Sequence, residues 1–172
     1  MPSRPFPYPV SIGIDICKIR RIYDLISKDN GKWRRPFLRK IFNSQERRTL
    51  PSVLGEKQLS TAGVHSHNTW RLAQFLAGRW AAKEAAIKAI RSRRATFHEI
   101  TIESREGRPH MLIDLPRAHS TETTAGKAAP SDRNGGEVED GAGETHEARL
   151  SISHDDAYAT AVVMAIDESP EV

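Results

Sequence analysis

Three separated segments of the sequence carry side chains that could perform chemistry. The first is GIDI at 13–16, in which Asp15 lies inside an alternating apolar pattern. The second is RWAAKEAAIKA at 79–89, and the third is SISH at 151–154. A carboxylate inside a strand built for burial is costly unless a cation or hydrogen-bond donors meet it. The same residue could instead be a strand-end aspartate that caps the next helix, so the segment alone leaves two interpretations open.

The second segment lies in a stretch, 75–90, that is rich in strong helix formers. On a helix, Glu84 and Lys88 stand one turn apart, and Arg79 and Lys83 form a neighbouring row of like charge. Such a like-charged pair costs about 0.2–0.5 kcal/mol in an isolated helix, so it is easier to understand if an anion lies beside it. The alternative is a half-buried helix with a solvated basic edge and a Glu84–Lys88 surface pair.

Length and composition limit the class of protein. A chain of 172 residues with 38% apolar and 28% charged residues is predicted to form one domain over 1–172. No apolar run approaches the roughly 18 residues of a membrane span, so we expect no membrane partner. The single cysteine, Cys17, excludes an internal disulfide and a cysteine metal cluster. A reducing, intracellular compartment, either cytoplasmic or mitochondrial, is therefore expected.

The charge of the chain favours an anionic partner. The formal net charge is +4 and the isoelectric point is near 9.4. One hypothesis is therefore a non-catalytic basic module that binds RNA or an acidic protein. No recognisable nucleic-acid-binding motif accompanies the charge, however, so we expect no nucleic acid as a partner. This hypothesis also leaves the acidic residues of the first two segments without a purpose.

Hydrophobic periodicity predicts an α+β fold with a mostly antiparallel sheet and a long central helix packed across it. The helix is expected over 73–91. The predicted strands share alternating apolar positions and cover 10–17, 97–103, 110–115, 149–153 and 158–166. The segment at about 117–147 is low in apolar residues and rich in Gly, Ser, Thr, Glu and Asp, so we expect a disordered insertion there.

In their order and spacing, the three segments resemble the holo-acyl-carrier-protein synthase family, the small 4′-phosphopantetheinyl transferases. The resemblance covers about 10–50, 73–115 and 149–166. It departs from the family at 90–94, where IRSRR replaces a Gly-Thr-Gly-like turn, and at the long polar insertion before SISH. The resemblance implies the fold described above and a reaction in which coenzyme A donates 4′-phosphopantetheine to a serine of an apo acyl carrier protein. Mg²⁺ is the implied cofactor, and adenosine 3′,5′-bisphosphate is the implied product.

The resemblance also implies roles for single residues. Asp15 and Glu84 correspond to metal ligands, and Glu84, acting through a metal-bound water, is the first choice for the base. Lys88 would neutralise the pyrophosphate, and His154 would position the reacting groups. The residues expected to bind coenzyme A are Arg79, Lys83, Lys88, Ser153 and His154.

Partners follow from the same resemblance. An acyl carrier protein presents an acidic helix, which we expect to dock near Arg21, Arg39 and Lys40. Family members of the bacterial type are trimers with active sites between subunits, so a homotrimer is expected. In such a trimer Asp15 and Glu84 would come from one chain and other ligand contacts from its neighbour.

Overall fold

The structure is a computed structural model that describes residues 8–54, 67–91, 94–115 and 144–166. Within these residues, strand β1 leads into three short helices, a long helix, a β-hairpin and two further strands. The helices are α1 (Ile19–Ser27), α2 (Arg34–Ile41), α3 (Ser44–Leu54) and α4 (His67–Ala89). The strands are β1 (Val10–Lys18), β2 (Ile100–Arg105), β3 (Arg108–Leu115), β4 (Glu144–His154) and β5 (Tyr158–Ile166).

The strands form one antiparallel sheet in the order β1-β5-β4-β3-β2. Strand β1 lies at an edge and pairs with β5 along its whole length, with Asp15 opposite Ala161. Strand β4 pairs with β3 through its first half, where Glu144 lies opposite Leu115, and with β5 through its second half. This arrangement places the ends of β1 and β4 on either side of β5.

Helix α4 packs across the sheet through a surface of small side chains. Its buried alanines have no exposed surface and are Ala73, Ala77, Ala81, Ala82, Ala85, Ala86 and Ala89. The approach is closest at Gly13 of β1, where a Cβ atom would lie 1.9 Å from the carbonyl oxygen of Ala85. Gly78 approaches β4 in the same way, since its Cβ would lie 3.1 Å from Ile152. The helix backbone is therefore held directly against the strands that carry the predicted site residues.

The predicted α+β fold is confirmed, with differences at several boundaries. The central helix begins at His67 and ends at Ala89, whereas 73–91 was expected. Residues 144–147, expected to belong to a disordered insertion, form the first part of β4 and pair with β3. Their polar character resembles the rest of the insertion, so periodicity could not separate them from it. The remainder of that insertion lies outside the described residues.

The expected strand at 97–103 is wrong at its beginning. Phe97–Glu99 form a 3-10 turn, and β2 starts at Ile100. The Glu99 carboxylate accepts a hydrogen bond of 2.6 Å from the backbone N–H of Thr96, which closes this turn. Alternating side chains cannot reveal this turn, because it depends on a hydrogen bond between a side chain and the backbone.

The alternation in β1 is correct, but its apolar face does not lie in the core. Gly13, Asp15 and Cys17 are on the face that packs against α4. Ile12, Ile14 and Ile16 are on the opposite face and are exposed by 61–66%. The predicted strand is thus confirmed, while the expectation that its isoleucines mark the buried face of this chain is wrong.

Candidate active site

The first cluster of predicted site residues lies where α4 crosses β1. The close approach at Gly13 brings the last turn of α4 next to Asp15, and the side chain of Asp15 is 17% exposed. The Nζ atom of Lys88 lies 2.7 Å from Oδ1 of Asp15 and donates a second hydrogen bond of 3.0 Å to the carbonyl oxygen of Ile14. The two separate motifs therefore meet at Asp15 and Lys88. We call these two residues, together with Glu84 one turn before Lys88 on α4, the carboxylate corner.

Glu84 lies one turn before Lys88 and is half-buried. In the part of the chain that the structure describes, its carboxylate has neither a hydrogen bond nor an ion pair. It lines an open cleft of about 580 Å³ together with Arg21, Lys40 and Trp80. A half-buried carboxylate without a partner is costly, so this group is available for a cation or for a proton.

A second cluster lies toward the other end of α4. Arg71, Arg79 and His154 line a cleft of about 450 Å³ between α4, the β2–β3 hairpin and the end of β4. His154 is exposed at the end of β4. We call this group the basic cleft. The sequence placed Arg79 and His154 in the ligand site, and the structure brings them together.

Arg71 also lines the basic cleft and was missed by the sequence analysis. The available signal was its spacing from Arg79, since residues eight apart on a helix are separated by about 80° and can border one broad stripe. Guanidinium groups bind phosphate through pairs of parallel hydrogen bonds, which suits two arginines in one cleft. Arg71 and Arg79 together therefore provide two guanidinium groups for phosphate, whereas the sequence predicted only the one of Arg79.

Arg79 is held in a partly apolar environment. Its guanidinium carbon lies 4.7 Å from the centre of the Phe75 ring. Burial lowers the pKa of Arg79, and the nearby carboxylate of Glu46 opposes this by raising it. An arginine remains charged under such conditions. The result is a fixed positive charge at the edge of the cleft, with its side chain restrained by packing.

Lys83 does not have the surroundings of a phosphate-binding residue. Its side chain has no exposed surface, and its ammonium group lies 2.6 Å from Oε2 of Glu46. It also donates to the carbonyl oxygens of Phe97 at 2.9 Å and Ile100 at 2.7 Å. Burial lowers the pKa of Lys83, while Glu46 raises it. All three donors are taken, so the expectation that Lys83 holds phosphate is not met.

Ser153 also lacks the surroundings expected of it, because it does not line the basic cleft of its own chain. Successive side chains of a strand point to opposite faces of the sheet. Ile152 faces Gly78 of α4, and His154 lines the cleft on that same side. Ser153 therefore lies on the face opposite α4, where it is exposed. The structure does not bring its hydroxyl to Arg79 or His154 of the same chain.

The turn that follows His154 is fixed by Asp155. Its Oδ1 atom accepts hydrogen bonds of 2.8 Å from the backbone N–H groups of Ala157 and Tyr158. These bonds lower the pKa of Asp155 below the 3.8 of an ordinary aspartate, because they favour its ionised form. The end of β4 is thus connected tightly to β5, which fixes the position of His154.

The residues expected to receive an acidic helix surround Trp80. The guanidinium of Arg21 lies 5.6 Å from the centre of the Trp80 ring, and the ammonium of Lys40 lies 5.7 Å from it. Phe37 stacks on the same ring at 5.8 Å. Arg39 is exposed nearby on α2, and its carbonyl oxygen accepts a hydrogen bond from His98. We call Arg21, Arg39, Lys40, Phe37 and Trp80 the basic aromatic surface. Two of its cations, Arg21 and Lys40, share a cleft with Glu84.

Comparison with known proteins identifies the family of this chain from its sequence. The model of the 4′-phosphopantetheinyl transferase superfamily matches residues 11–162. A relative from Aspergillus fumigatus, 4′-phosphopantetheinyl transferase B, mitochondrial, is 33% identical over 94% of this chain and 96% of that protein. The holo-[acyl-carrier-protein] synthase of Corynebacterium efficiens is 31% identical over 89% of this chain and 91% of its own length.

Solved structures agree on the fold. The Plasmodium yoelii acyl carrier protein synthase with ADP bound superimposes with a TM-score of 0.55 at 21% identity, covering 90% of this chain and 93% of that one. A holo-(acyl-carrier-protein) synthase from Bacillus anthracis, in complex with CoA (3′,5′-ADP), gives 0.52 at 24% identity, covering 90% and 94%. With the family model matching most of the sequence and the relatives exceeding 30% identity, the chain is an enzyme of the 4′-phosphopantetheinyl transferase superfamily.

Proposed function

We propose that this enzyme transfers the 4′-phosphopantetheine group of coenzyme A to a serine of an apo acyl carrier protein. A bond forms between the serine oxygen and the phosphorus that carries pantetheine. The pyrophosphate bond from that phosphorus to the adenosine part breaks, and the serine proton passes to a base. Adenosine 3′,5′-bisphosphate is released. The names of the Aspergillus and Corynebacterium relatives support this reaction, since they specify the group transferred and the acceptor.

The main support for the proposal is that two clusters of different chemistry, the basic cleft and the carboxylate corner, lie at separate positions along α4. The basic cleft contains Arg79, and the carboxylate corner contains Lys88, nine residues later. At 1.5 Å per residue, their Cα atoms are separated by roughly 13 Å along the helix axis. Coenzyme A has charged phosphates at its adenosine end and a pyrophosphate at the reacting bond. An extended ligand of this kind needs cations at two separated places.

The chain's own residues have distinct tasks in this proposal. Arg71, Arg79 and His154 hold the phosphates of the adenosine part and so orient coenzyme A. Lys88 lies beside Asp15 and neutralises the negative charge that develops on the leaving bisphosphate. Such preorganised charges stabilise a transition state more than water does, because they need no reorganisation during the reaction.

The carboxylate corner fits a magnesium ion. Mg²⁺ prefers oxygen ligands and is commonly held by one or two carboxylates together with substrate phosphates. Asp15, which is paired with Lys88, and Glu84, one turn before Lys88 on α4, supply carboxylate oxygens and would hold the ion. When bound, it would neutralise charge on the pyrophosphate. Substrate and water oxygens would supply the other ligands, as is usual for Mg²⁺.

The base is assigned to Glu84. Its carboxylate is half-buried, has no partner among the described residues, and faces the cleft that it shares with the basic aromatic surface. An acceptor serine delivered through that surface arrives beside it. A carboxylate in this position takes up the proton through an intervening water as the serine oxygen attacks phosphorus.

A homotrimer is part of the proposal, supported by the exposed face of β1 and β5. Large apolar residues exposed by 41–66% share this face, namely Ile12, Ile14, Ile16, Tyr158, Val162, Met164 and Ile166. Their pairing across the two strands makes the patch continuous, with Ile12 opposite Met164 and Ile14 opposite Val162. A continuous exposed patch of this kind marks an interaction surface. In a trimer, Ser153, which lies on the same side of the sheet, would come near a neighbouring subunit.

Docking of the carrier at Arg21, Arg39 and Lys40 is supported by charge and position. All three are exposed and basic, and Arg21 and Lys40 share the cleft that contains Glu84. An acidic helix would gain mainly in association rate from these charges. The acceptor serine, carried by the same partner, would then lie close to the carboxylate corner.

The mitochondrion is the proposed compartment, in preference to the cytoplasm. It is supported by the Aspergillus relative, whose name includes this compartment. None of the helices in the described ranges is long and apolar enough to cross a membrane. Fluorescence microscopy of the tagged full chain in a fungal cell tests the proposal. A diffuse cytoplasmic signal would contradict it.

Product analysis tests the proposed reaction and its magnesium requirement. The protein is incubated with coenzyme A and an apo carrier, with and without Mg²⁺, and the nucleotide products are separated by chromatography. Adenosine 3′,5′-bisphosphate should appear in a one-to-one ratio with modified carrier, and chelation of the metal should stop its release. Release without a carrier, or release that persists at full rate after chelation, would contradict the proposal.

A further inference from the structure

The two like charges of the row on α4, Arg79 and Lys83, are held in different ways. The ammonium of Lys83 is paired with Glu46, so the anion beside the row is a carboxylate of the chain itself. Arg79 is half-buried, yet among the described residues no oxygen atom accepts a hydrogen bond from its guanidinium. This part of the chain therefore leaves all of the N–H donors of Arg79 to a ligand.

The ring of Phe75 holds the side chain of Arg79. Phe75 lies one turn before Arg79 on α4, and the guanidinium carbon is 4.7 Å from the centre of its ring. A cation within about 6 Å of a ring centre is attracted, because the face of the ring carries partial negative charge. Phe42 stacks on Phe75, with the ring centres 6.4 Å apart. Since Phe42 is buried, two aromatic rings connect Arg79 to the core.

Phe75 and Arg79 lie at the boundary between two cavities of different charge. One is the basic cleft. The other has a volume of about 380 Å³ and is lined by the carboxylate residues Glu46 and Glu103, and we call it the acidic cavity. Both Phe75 and Arg79 line the two cavities. The guanidinium therefore has carboxylates on one side and, on the other, the cleft assigned to the phosphates of coenzyme A.

Without a ligand, the charges around Arg79 favour the acidic cavity. Burial lowers the pKa of Arg79, whereas the carboxylate of Glu46 raises it by attraction. Arg71, in the basic cleft, carries a charge of the same sign and repels the guanidinium. An arginine that turned to a carboxylate would have to leave it before binding a phosphate, and this step would weaken the apparent affinity for the ligand. A contact that keeps the guanidinium at the boundary removes that cost.

We propose that Phe75 is a positioning residue for coenzyme A. Its ring holds the guanidinium of Arg79 at the edge of the basic cleft and prevents it from turning to the carboxylates of the acidic cavity. Phe75 acts through Arg79 and not through the reacting atoms. This inference rests on the proposed function, because it deepens the assignment of Arg79 to the phosphates of coenzyme A.

Three substitutions test whether the ring of Phe75 matters for binding. Phe75→Leu keeps an apolar side chain but removes the ring, whereas Phe75→Tyr keeps a ring that attracts a cation. Phe42→Leu is the matched control, because it removes the other ring of the stacked pair, the one that does not carry Arg79. The Kd for coenzyme A is measured by calorimetry without a carrier, and thermal unfolding is recorded for every variant.

The inference predicts opposite effects of the two leucine substitutions on binding and stability. Phe75→Leu should raise the Kd by about tenfold, the effect of losing ~1.4 kcal/mol of binding, while Phe75→Tyr should stay close to the parent. Phe42→Leu should lower the Tm more than Phe75→Leu, because Phe42 is the more buried ring, but leave the Kd near the parent value. An unchanged Kd in Phe75→Leu, or an equal rise in Phe42→Leu, would overturn the inference.

A double-mutant cycle with Arg79→Met separates positioning from direct contact between Phe75 and coenzyme A. The kcat/KM for coenzyme A is taken from initial rates, which give this ratio even when the substrate does not saturate the enzyme. Phe75→Leu should lower kcat/KM in the parent and have little further effect in Arg79→Met, because the residue through which it acts is gone. Equal losses in both backgrounds would show direct contact and overturn the positioning role. A parent that binds no coenzyme A would instead contradict the proposed function, and the inference with it.

Discussion

Lys83 and Lys88 show how position on one helix separates a buried lysine from an exposed one. Five residues apart, they point about 140° away from each other around the axis of α4. Lys83 is buried with Glu46 and two backbone carbonyls, whereas Lys88 is exposed beside Asp15. The sequence presents both as lysines in one motif. Their difference depends on elements that arrive from elsewhere, namely α3 for Lys83 and β1 for Lys88.

Replacing each lysine by Met should therefore give opposite results. Removing one partner of a buried ion pair leaves an uncompensated charge and costs about 3–5 kcal/mol. Lys83→Met should lower the free energy of unfolding by this amount, measured by urea denaturation, because Glu46 loses its cation. Lys88→Met is the matched control and should remain near the parent stability. Parental stability of Lys83→Met would contradict the structural role.

In the carboxylate corner, Lys88→Met and Glu84→Gln should lower the rate of transfer with little effect on folding. Methionine keeps the packing of the lysine stem, and glutamine keeps the size of glutamate. Each change removes one preorganised charge, so the rate constant should fall by about 100-fold or more in a single-turnover assay. Added Mg²⁺ should partly rescue only Glu84→Gln. A parental rate in either variant would contradict that residue's assignment.

At the scale of helices and strands, hydrophobic periodicity predicted the elements that depend on a local sequence pattern. It missed the features that depend on contacts between residues far apart in the chain. The strand at 158–166 and the helix around Glu84 were predicted because their apolar residues repeat regularly. The turn at Phe97–Glu99 was missed because Lys83 and Glu99 take hydrogen-bonding groups that a strand would use. The buried pair of Lys83 and Glu46 joins residues 37 positions apart, and no local pattern shows such a contact.

The candidate site was predictable to the extent that its residues lie in recognisable motifs. Asp15, Glu84, Lys88, Arg79 and His154 were all named from three short segments. Arg71 was missed because it precedes the motif. A cavity of about 300 Å³ lined by Leu25, Phe37 and Trp80 could not be foreseen, because its walls come from α1, α2 and α4 and meet only in the folded chain.

Helix α1 offers a matched pair of arginines for testing the docking surface. Arg21 lies over Trp80, while Arg20 forms an exposed ion pair with Asp24 on another face. Arg21→Glu should raise the KM for the carrier about tenfold and weaken its salt dependence, since opposite charges attract at this surface. Arg20→Glu makes the same change of net charge and should have a much smaller effect. Equal effects in both variants would indicate attraction by net charge alone, without a docking surface.

At the scale of the whole molecule, the exposed apolar face of β1 and β5 requires a partner. Within a single chain, helix α4 covers one side of the sheet and leaves Ile14 and Val162 in solvent. Charged residues on such a face would prevent close packing between copies. The proposed trimer therefore predicts that one substitution in this face changes both assembly and activity.

Ile14→Glu should convert the trimer to monomers, measured by analytical ultracentrifugation at several protein concentrations. Transfer should fall with it, because the proposed trimer brings Ser153, which is expected to bind coenzyme A, near a neighbouring subunit. Arg108→Glu, at the exposed hairpin between β2 and β3 near the opposite edge of the sheet, is the control and should remain trimeric. A parent protein that sediments as a monomer at every concentration would contradict the assembly.

The measurement that tests the central claim most directly is the intact mass of the carrier. A purified apo acyl carrier protein is incubated with coenzyme A, Mg²⁺ and this enzyme, and then weighed by mass spectrometry. We predict that the carrier gains the mass of one 4′-phosphopantetheine group, that fragmentation places it on the acceptor serine, and that a Ser→Ala carrier gains nothing. A carrier of unchanged mass after incubation with the folded parent enzyme, or an equal gain by the Ser→Ala carrier, would contradict the account.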